Sequence, residues 1–114
     1  MDPLTTAILA KSLDGLSARA AATANNVANA NTPSYRPMRV SFEAALAQAA
    51  TGGPEAVKAT PIRFAAESDW PHDASLRLDL ELATSASTAG RYSALVELLN
   101  RHAQLSALAV SGGR

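Results

Sequence analysis

Residues able to act as bases, nucleophiles or metal ligands are few and scattered in this sequence. Its two histidines, His72 and His102, have no His, Cys or acidic partner at helical metal-ligand spacing. His72 stands beside Asp73 in a proline-rich stretch, which is ordinary turn chemistry. His102 falls within a long apolar-patterned run and reads as an exposed or interfacial residue rather than a base. There is no cysteine, so disulfide frameworks and thiolate metal sites are excluded. No G-x-S-x-G, P-loop or dinucleotide fingerprint is present. The expectation is a chain that is not an enzyme, with no cofactor and no metal.

The chemistry that does stand out is that of amides. Asn25, Asn26, Asn29 and Asn31 fall within one short run at the end of an alanine-rich stretch. Asn is a mediocre helix former because its amide competes for nearby backbone groups. Asn25 and Asn29 are four apart and share a helix face, Asn26 lies beside them, and Ala24, Val27 and Ala28 supply apolar contacts. Small side chains let a second helix approach, and the amides can then bond across the gap, fixing register as polar residues do in coiled-coil seams. A frayed, Asn-rich helix end would look the same. Pro33 forbids continuation and pushes Thr32 toward an extended conformation, after which Tyr35 and Arg36 supply a bulky anchor and a charge.

The 114 residues suffice for one domain at most. The apolar content is 47%, but much of it is alanine, with only two Phe, two Tyr and one Trp. Alanine buries little surface, so the core is expected to be thin and the missing stability to come from other subunits. The net charge is zero and the ten Lys and Arg are dispersed, so nothing indicates a nucleic-acid partner. Asp2 and Lys11 spoil the only stretch that could serve as a cleavable signal peptide. No segment approaches the ~20 apolar residues that would cross a bilayer. Departure from the cytoplasm would need another apparatus.

Residues 2–31 are expected to form one helix, with Asp2 as N-cap and Pro3 at the first position. Leu9, Leu13, Leu16, Ala20, Thr23, Val27 and Ala30 follow a coiled-coil-like spacing. Gly15 is its weak point, costing up to about 1 kcal/mol relative to Ala. The polar face has too few Lys and Arg for a membrane-surface helix. Residues 37–50 read as a short helix capped by Ser41, with Phe42 and Leu46 on one face as an apolar pair folding back onto the long helices. Residues 51–75 are expected to be irregular, broken by Gly52, Gly53, Pro54, Pro61 and Pro71. Within them, Ile62, Arg63 and Phe64 could make a short edge strand, and Trp70 a local cover or a contact anchor.

A second long helix is expected over 79–111, capped by Asp79, with Glu81 at the positive end of its dipole. Its seam is Leu82, Ser85, Ala89, Tyr92, Val96, Leu99, Ala103, Ser106 and Val110, flanked by Leu95, Leu98, Leu105 and Ala109. That face is wider than a two-stranded seam needs and suits a helix touching several neighbours. Gly90 implies a close helix approach or a bend, and Ser111-Gly112-Gly113 should end the helix.

The run from Ala24 to Arg36 resembles the N-terminal signature of the flagellar basal-body rod, hook and hook-associated proteins, close to A-N-N-[IV]-A-N-x-x-T-P-G-Y-[KR]. It departs at Ser34, where the family usually has Gly, which reaches positive φ cheaply as Ser does not. Residues 76–82 and 91–99 are similar to the V-D-L-D-x-E-M and R-Y-x-A-L-x-x-L-L runs of the family's proximal rod member. Arg77 and Leu82 depart from the first of these, and Thr88 stands where that member usually has Asn. The run after Tyr92 separates it from the sister rod subunits.

The resemblance implies a mainly α fold. Residues 1–34 and 79–114 would be the long N- and C-terminal helices of one antiparallel coiled-coil domain, and 35–78 an irregular middle segment. Asn25, Asn26, Asn29, Thr32, Pro33, Tyr35, Leu13, Leu16, Val27, Tyr92, Val96 and Leu99 would then make the subunit interface and set its register. Phe42 and Leu46 resemble the Phe-x-x-x-hydrophobic element by which rod and hook subunits engage the export gate. The implied role is that of a structural subunit of the proximal rod, exported by the flagellar type III apparatus without a cleaved signal peptide and assembled in the periplasm. Its implied partners are copies of itself, other rod subunits, the ring-to-rod adaptor and the export gate. A free-standing secreted helical-hairpin binding module would also explain the two amphipathic helices, though neither the Asn-rich exit nor the C-terminal run. A sister rod subunit is the third reading.

Overall fold

A computed structural model describes residues 1–112. The first helix, α1, spans Pro3–Ala28. The Asp2 carboxylate accepts a hydrogen bond from the Thr5 backbone N–H at 2.8 Å, and Pro3 follows at a position whose N–H would be orphaned in any case. The helix stops short of Asn31 because the asparagines compete for its acceptors. Both the backbone N–H of Asn29 and its side-chain amide donate to the Asn25 carbonyl, at 3.0 and 2.9 Å.

The short helix expected within 37–50 is present after Ser41, but the residues before it are not helical and its cap is not the expected one. Strand β1 takes Met38–Ser41, so Ser41 closes a strand instead of capping a helix, and α2 runs over Glu43–Ala50 with no side-chain cap. Phe42 holds the N-cap position, and its ring is buried. Neither is the middle wholly irregular. Pro54–Lys58 forms α3, entered through Gly53 at φ 94°, and Arg63–Ala66 forms β2, one residue on from the expected strand. The two strands pair antiparallel, with Met38 opposite Ala66 and Ser41 opposite Arg63.

The last helix, α4, spans Ala74–Gly112. It begins ahead of Asp79, and the side chain that receives its first-turn N–H is that of Asp73, from Leu76 at 3.1 Å. Ser111 and Gly112 are still helical, and the stop expected at Gly113 falls outside the described residues.

The core lies against one side of α1. Leu16, Val40, Phe42, Leu46 and Val57 are buried together, with Ala7 and Ala22 beside them, and Val57 is wholly inaccessible. Gly15, the weak point by propensity, is what admits Phe42: a Cβ there would overlap the aromatic ring. Thus α1, β1, α2 and α3 close around one aromatic side chain whose burial contributes roughly 1.5–3 kcal/mol.

The chain is mainly helical, and its two long helices touch each other. The face that α4 turns inward is only in part the expected one, since Val96 and Leu99 of the expected seam are half-buried. Its only buried residues are Glu81 and Thr88, while Leu82, Tyr92 and Val110 are exposed. The flanking residue Leu95 is the one that reaches the core cluster. A broad apolar face permits more than one rotation, and the polar bonds of Glu81 described below select this one. Gly90 has nothing within 4 Å of where a Cβ would lie, so close approach within the chain does not explain it. The molecule is long and thin, 64 × 27 × 14 Å, with a radius of gyration of 17.8 Å. A compact chain of this length would have about 13 Å. No helix among the described residues is long and apolar enough to cross a membrane.

Candidate functional site: a buried polar junction and an uncovered helix

Where α1 ends, Asn26 is buried and uses all of its side-chain amide. Its Nδ2 donates to the Met38 carbonyl at 2.9 Å and to Glu81 Oε2 at 3.1 Å, while its Oδ1 accepts from the Met38 N–H and the Tyr35 hydroxyl, each at 2.9 Å. One side chain therefore joins α1, the start of β1, the exit loop and α4. Such an amide can make two donor and two acceptor bonds, so none of its capacity is left over.

The Asn26 contact extends through Glu81, whose side chain is only 3% exposed and whose Oε1 lies 2.6 Å from Arg39. Arg39 also meets Glu67 at 3.0 Å. Below this, Arg77 donates to the Pro71 and His72 carbonyls at 3.1 and 3.0 Å and to the Ala30 carbonyl, tying the start of α4 to the end of α1. Glu81 therefore acts through direct bonds to Asn26 and Arg39 and not as a first-turn complement to the helix dipole. Arg39, Glu81 and Arg77 were not distinguishable as site residues in the sequence, since nothing local marks a charge whose partner lies dozens of positions away.

The other amide positions do different work. Asn25 is exposed, and Asn29 is bonded within its own helix end, so neither reaches α4. Thr32 donates its hydroxyl to Asn29 Oδ1 at 3.1 Å, and Pro33 is exposed in the turn. Ser34, the departure from the resembled signature, adopts φ 66°, the left-handed conformation that glycine takes at least cost.

Phe42 and Leu46 lie side by side in the core. Arg19 stacks 5.1 Å from the Phe42 ring centroid and donates to both Glu43 carboxylate oxygens at 2.7 Å. That hydrogen-bonded pairing holds the Glu43 carboxyl at a pKa of about 2, against an ordinary 4.5.

Of the remaining interface candidates, Leu16 is buried and Leu13, Val27, Val96 and Leu99 are half-buried along the two helices, while Tyr92 faces solvent. Beyond His102, which lies 2.7 Å from the Met1 amino nitrogen, α4 continues with Leu105 61% exposed and Leu108 67% exposed. Leu76, Leu80, Leu82 and Leu98 are exposed as well. Uncovered leucines thus flank both sides of the line along which α4 touches α1. Trp70 packs locally, with Arg36 5.5 Å from its ring centroid and His72 6.0 Å away. Among the described residues no three His, Cys, Asp or Glu side chains gather as a metal would require.

The arrangement ties the end of α1, the exit loop and the start of β1 to α4 through one buried amide. No protein-family model, curated protein or solved structure matches this chain.

Proposed function

We propose that this chain is a structural, non-enzymatic subunit of the bacterial flagellar basal-body rod, most like the proximal rod protein FlgB. The observation that carries the reading is the run Ala24–Arg36, whose resemblance to the rod signature falls on the residues that build the junction at Asn26. In this reading α1 and α4 form an antiparallel coiled coil. Its support is the order of contacts: Met1 meets His102, Asn26 meets Glu81, and Ala30 meets Arg77. Asn26 and Glu81 set the register of that pair, and the leucines left exposed along α4 are covered by other copies, by sister rod subunits and by the ring-to-rod adaptor.

Export by the flagellar type III apparatus fits the same geometry. Phe42 and Leu46 are buried once α2 has packed, so an export gate could read them only on the unfolded chain. Ordering on arrival costs entropy that a large interface must offset, and the exposed apolar length of α4 supplies it.

The test is deletion of the gene in its native host, followed by swimming assays and electron microscopy of isolated basal bodies. The expected result is membrane rings without rod, hook or filament. Complete flagella on swimming cells that hold no second copy would refute the rod assignment, and a secreted helical-hairpin module would then be the better account.

A further inference from the structure

On one side of α4 a cleft of about 520 Å³ opens between that helix, α1 and β1, lined by Arg19, Arg39, Arg91, Thr84, Thr88 and Leu80 among others. Past Arg91 the surface continues into an apolar crevice of about 330 Å³ bounded by Leu16, Phe42 and Leu95. The three arginines are not equally committed. Arg19 has its two 2.7 Å bonds to Glu43, and Arg39 is held between Glu67 and Glu81. Arg91 has one 3.4 Å contact with a Glu43 carboxylate already engaged by Arg19, and its side chain is 60% exposed. A guanidinium carries five N–H donors in a fixed fork suited to a carboxylate, and most of those on Arg91 have no acceptor among the described residues. The chemistry that completes this cleft is a carboxylate on an apolar flank.

The chain presents such a group elsewhere on the same helix. Asp79 is exposed and takes part in none of the ion pairs among the described residues. One turn on from it, Leu82 is 54% exposed. Helical geometry places Asp79 about 18 Å along the axis from Arg91 and about a third of a turn around it, so the two cannot meet within one chain. They can meet between chains. Each copy would offer both a carboxylate and a cleft, so the pairing can run head to tail from copy to copy or close reciprocally between two antiparallel copies of α4.

Resting on the rod reading, we propose that the Arg91 cleft receives Asp79 of a second copy of this chain, with that copy's Leu82 against the apolar crevice. The test is charge reversal followed by sedimentation of the purified chain up to about millimolar concentration at low salt, where interfacial pairing is least screened. Arg91→Glu and Asp79→Arg are each expected to weaken self-association about tenfold with helix content unchanged. An equimolar mixture of the two variants is expected to recover it, since each then offers the charge the other lacks. The double variant should recover it as well. A wild-type chain that stays monomeric across the range, association indifferent to either reversal, or a mixture that fails to recover would each overturn the contact. None of these outcomes bears on the gene-deletion result, which judges the rod reading separately.

Discussion

The two halves of this molecule solve the problem of a thin core in different ways. From Pro3 to Ala66 the chain folds α1, β1, α2, α3 and β2 around Phe42, and every buried hydrophobic side chain among the described residues lies there. The longest helix, Ala74–Gly112, buries only Glu81 and Thr88, both polar, and leaves leucines exposed along its length. Its middle holds Thr84, Ser85, Ser87, Thr88 and Gly90, residue types that favour helix less than Ala does. The first half is held by its own packing, whereas the second is held by a polar junction, Leu95 and a few partly covered contacts. A long helix with so little buried apolar surface is the part of the molecule that, on the proposed rod reading, other copies would complete.

The widest separation between the halves should come from truncating one large side chain in each. Phe42→Ala leaves a cavity over Gly15 and is expected to cost about 3–5 kcal/mol by urea unfolding of the isolated chain. Leu105→Ala should change that stability by less than about 0.5 kcal/mol while impairing assembly. Equal losses at both sites would erase the contrast.

Asn26→Leu acts on the link between the halves. It leaves the Met38 N–H, the Tyr35 hydroxyl and the Glu81 carboxylate each short of a partner, an expected loss of about 2–3 kcal/mol in the same assay. Fraying of α4, read by amide exchange, should accompany it.

Smaller effects sharpen the first half alone. With its carboxyl held at about 2 in the folded chain and an ordinary value of 4.5, Glu43 contributes stability that is present above about pH 4.5. The contribution is lost as the pH falls toward 2. After allowance for solvent screening it is worth about 1 kcal/mol, and Glu43→Gln should remove that part of the acid dependence. Ser34→Gly relieves the left-handed conformation at φ 66° and should stabilise by up to about 1 kcal/mol in thermal unfolding.

What the sequence made legible follows the same division. The Asp2–Pro3 start, the apolar pair Phe42 and Leu46, and the importance of the run around Asn26 are local features, and each could be read from neighbouring residues. Strand β1 escapes such a reading because four residues are too few to show alternation beside the helical spacing of Phe42 and Leu46, and only pairing with β2 defines it. The rotation of α4 escapes it for a longer-range reason. Leu82, Tyr92 and Val110 keep a good heptad spacing, but Glu81 must face Asn26 and Arg39, and that turns these members of the expected seam outward while Val96 and Leu99 stay half-buried. Ser34 shows the opposite case, where a single departure from a resembled pattern located a strained turn.

Backbone amide hydrogen exchange on the isolated chain tests the contrast most directly. The prediction is strong protection across α1 and α2, intermediate protection in α4 near Glu81, and exchange close to that of an unstructured chain from Leu98 to Gly112. Protection of α4 equal to that of α1 through Gly112 in the monomer would mean that this helix needs no partner, and the division between a self-sufficient first half and a dependent second half would be contradicted.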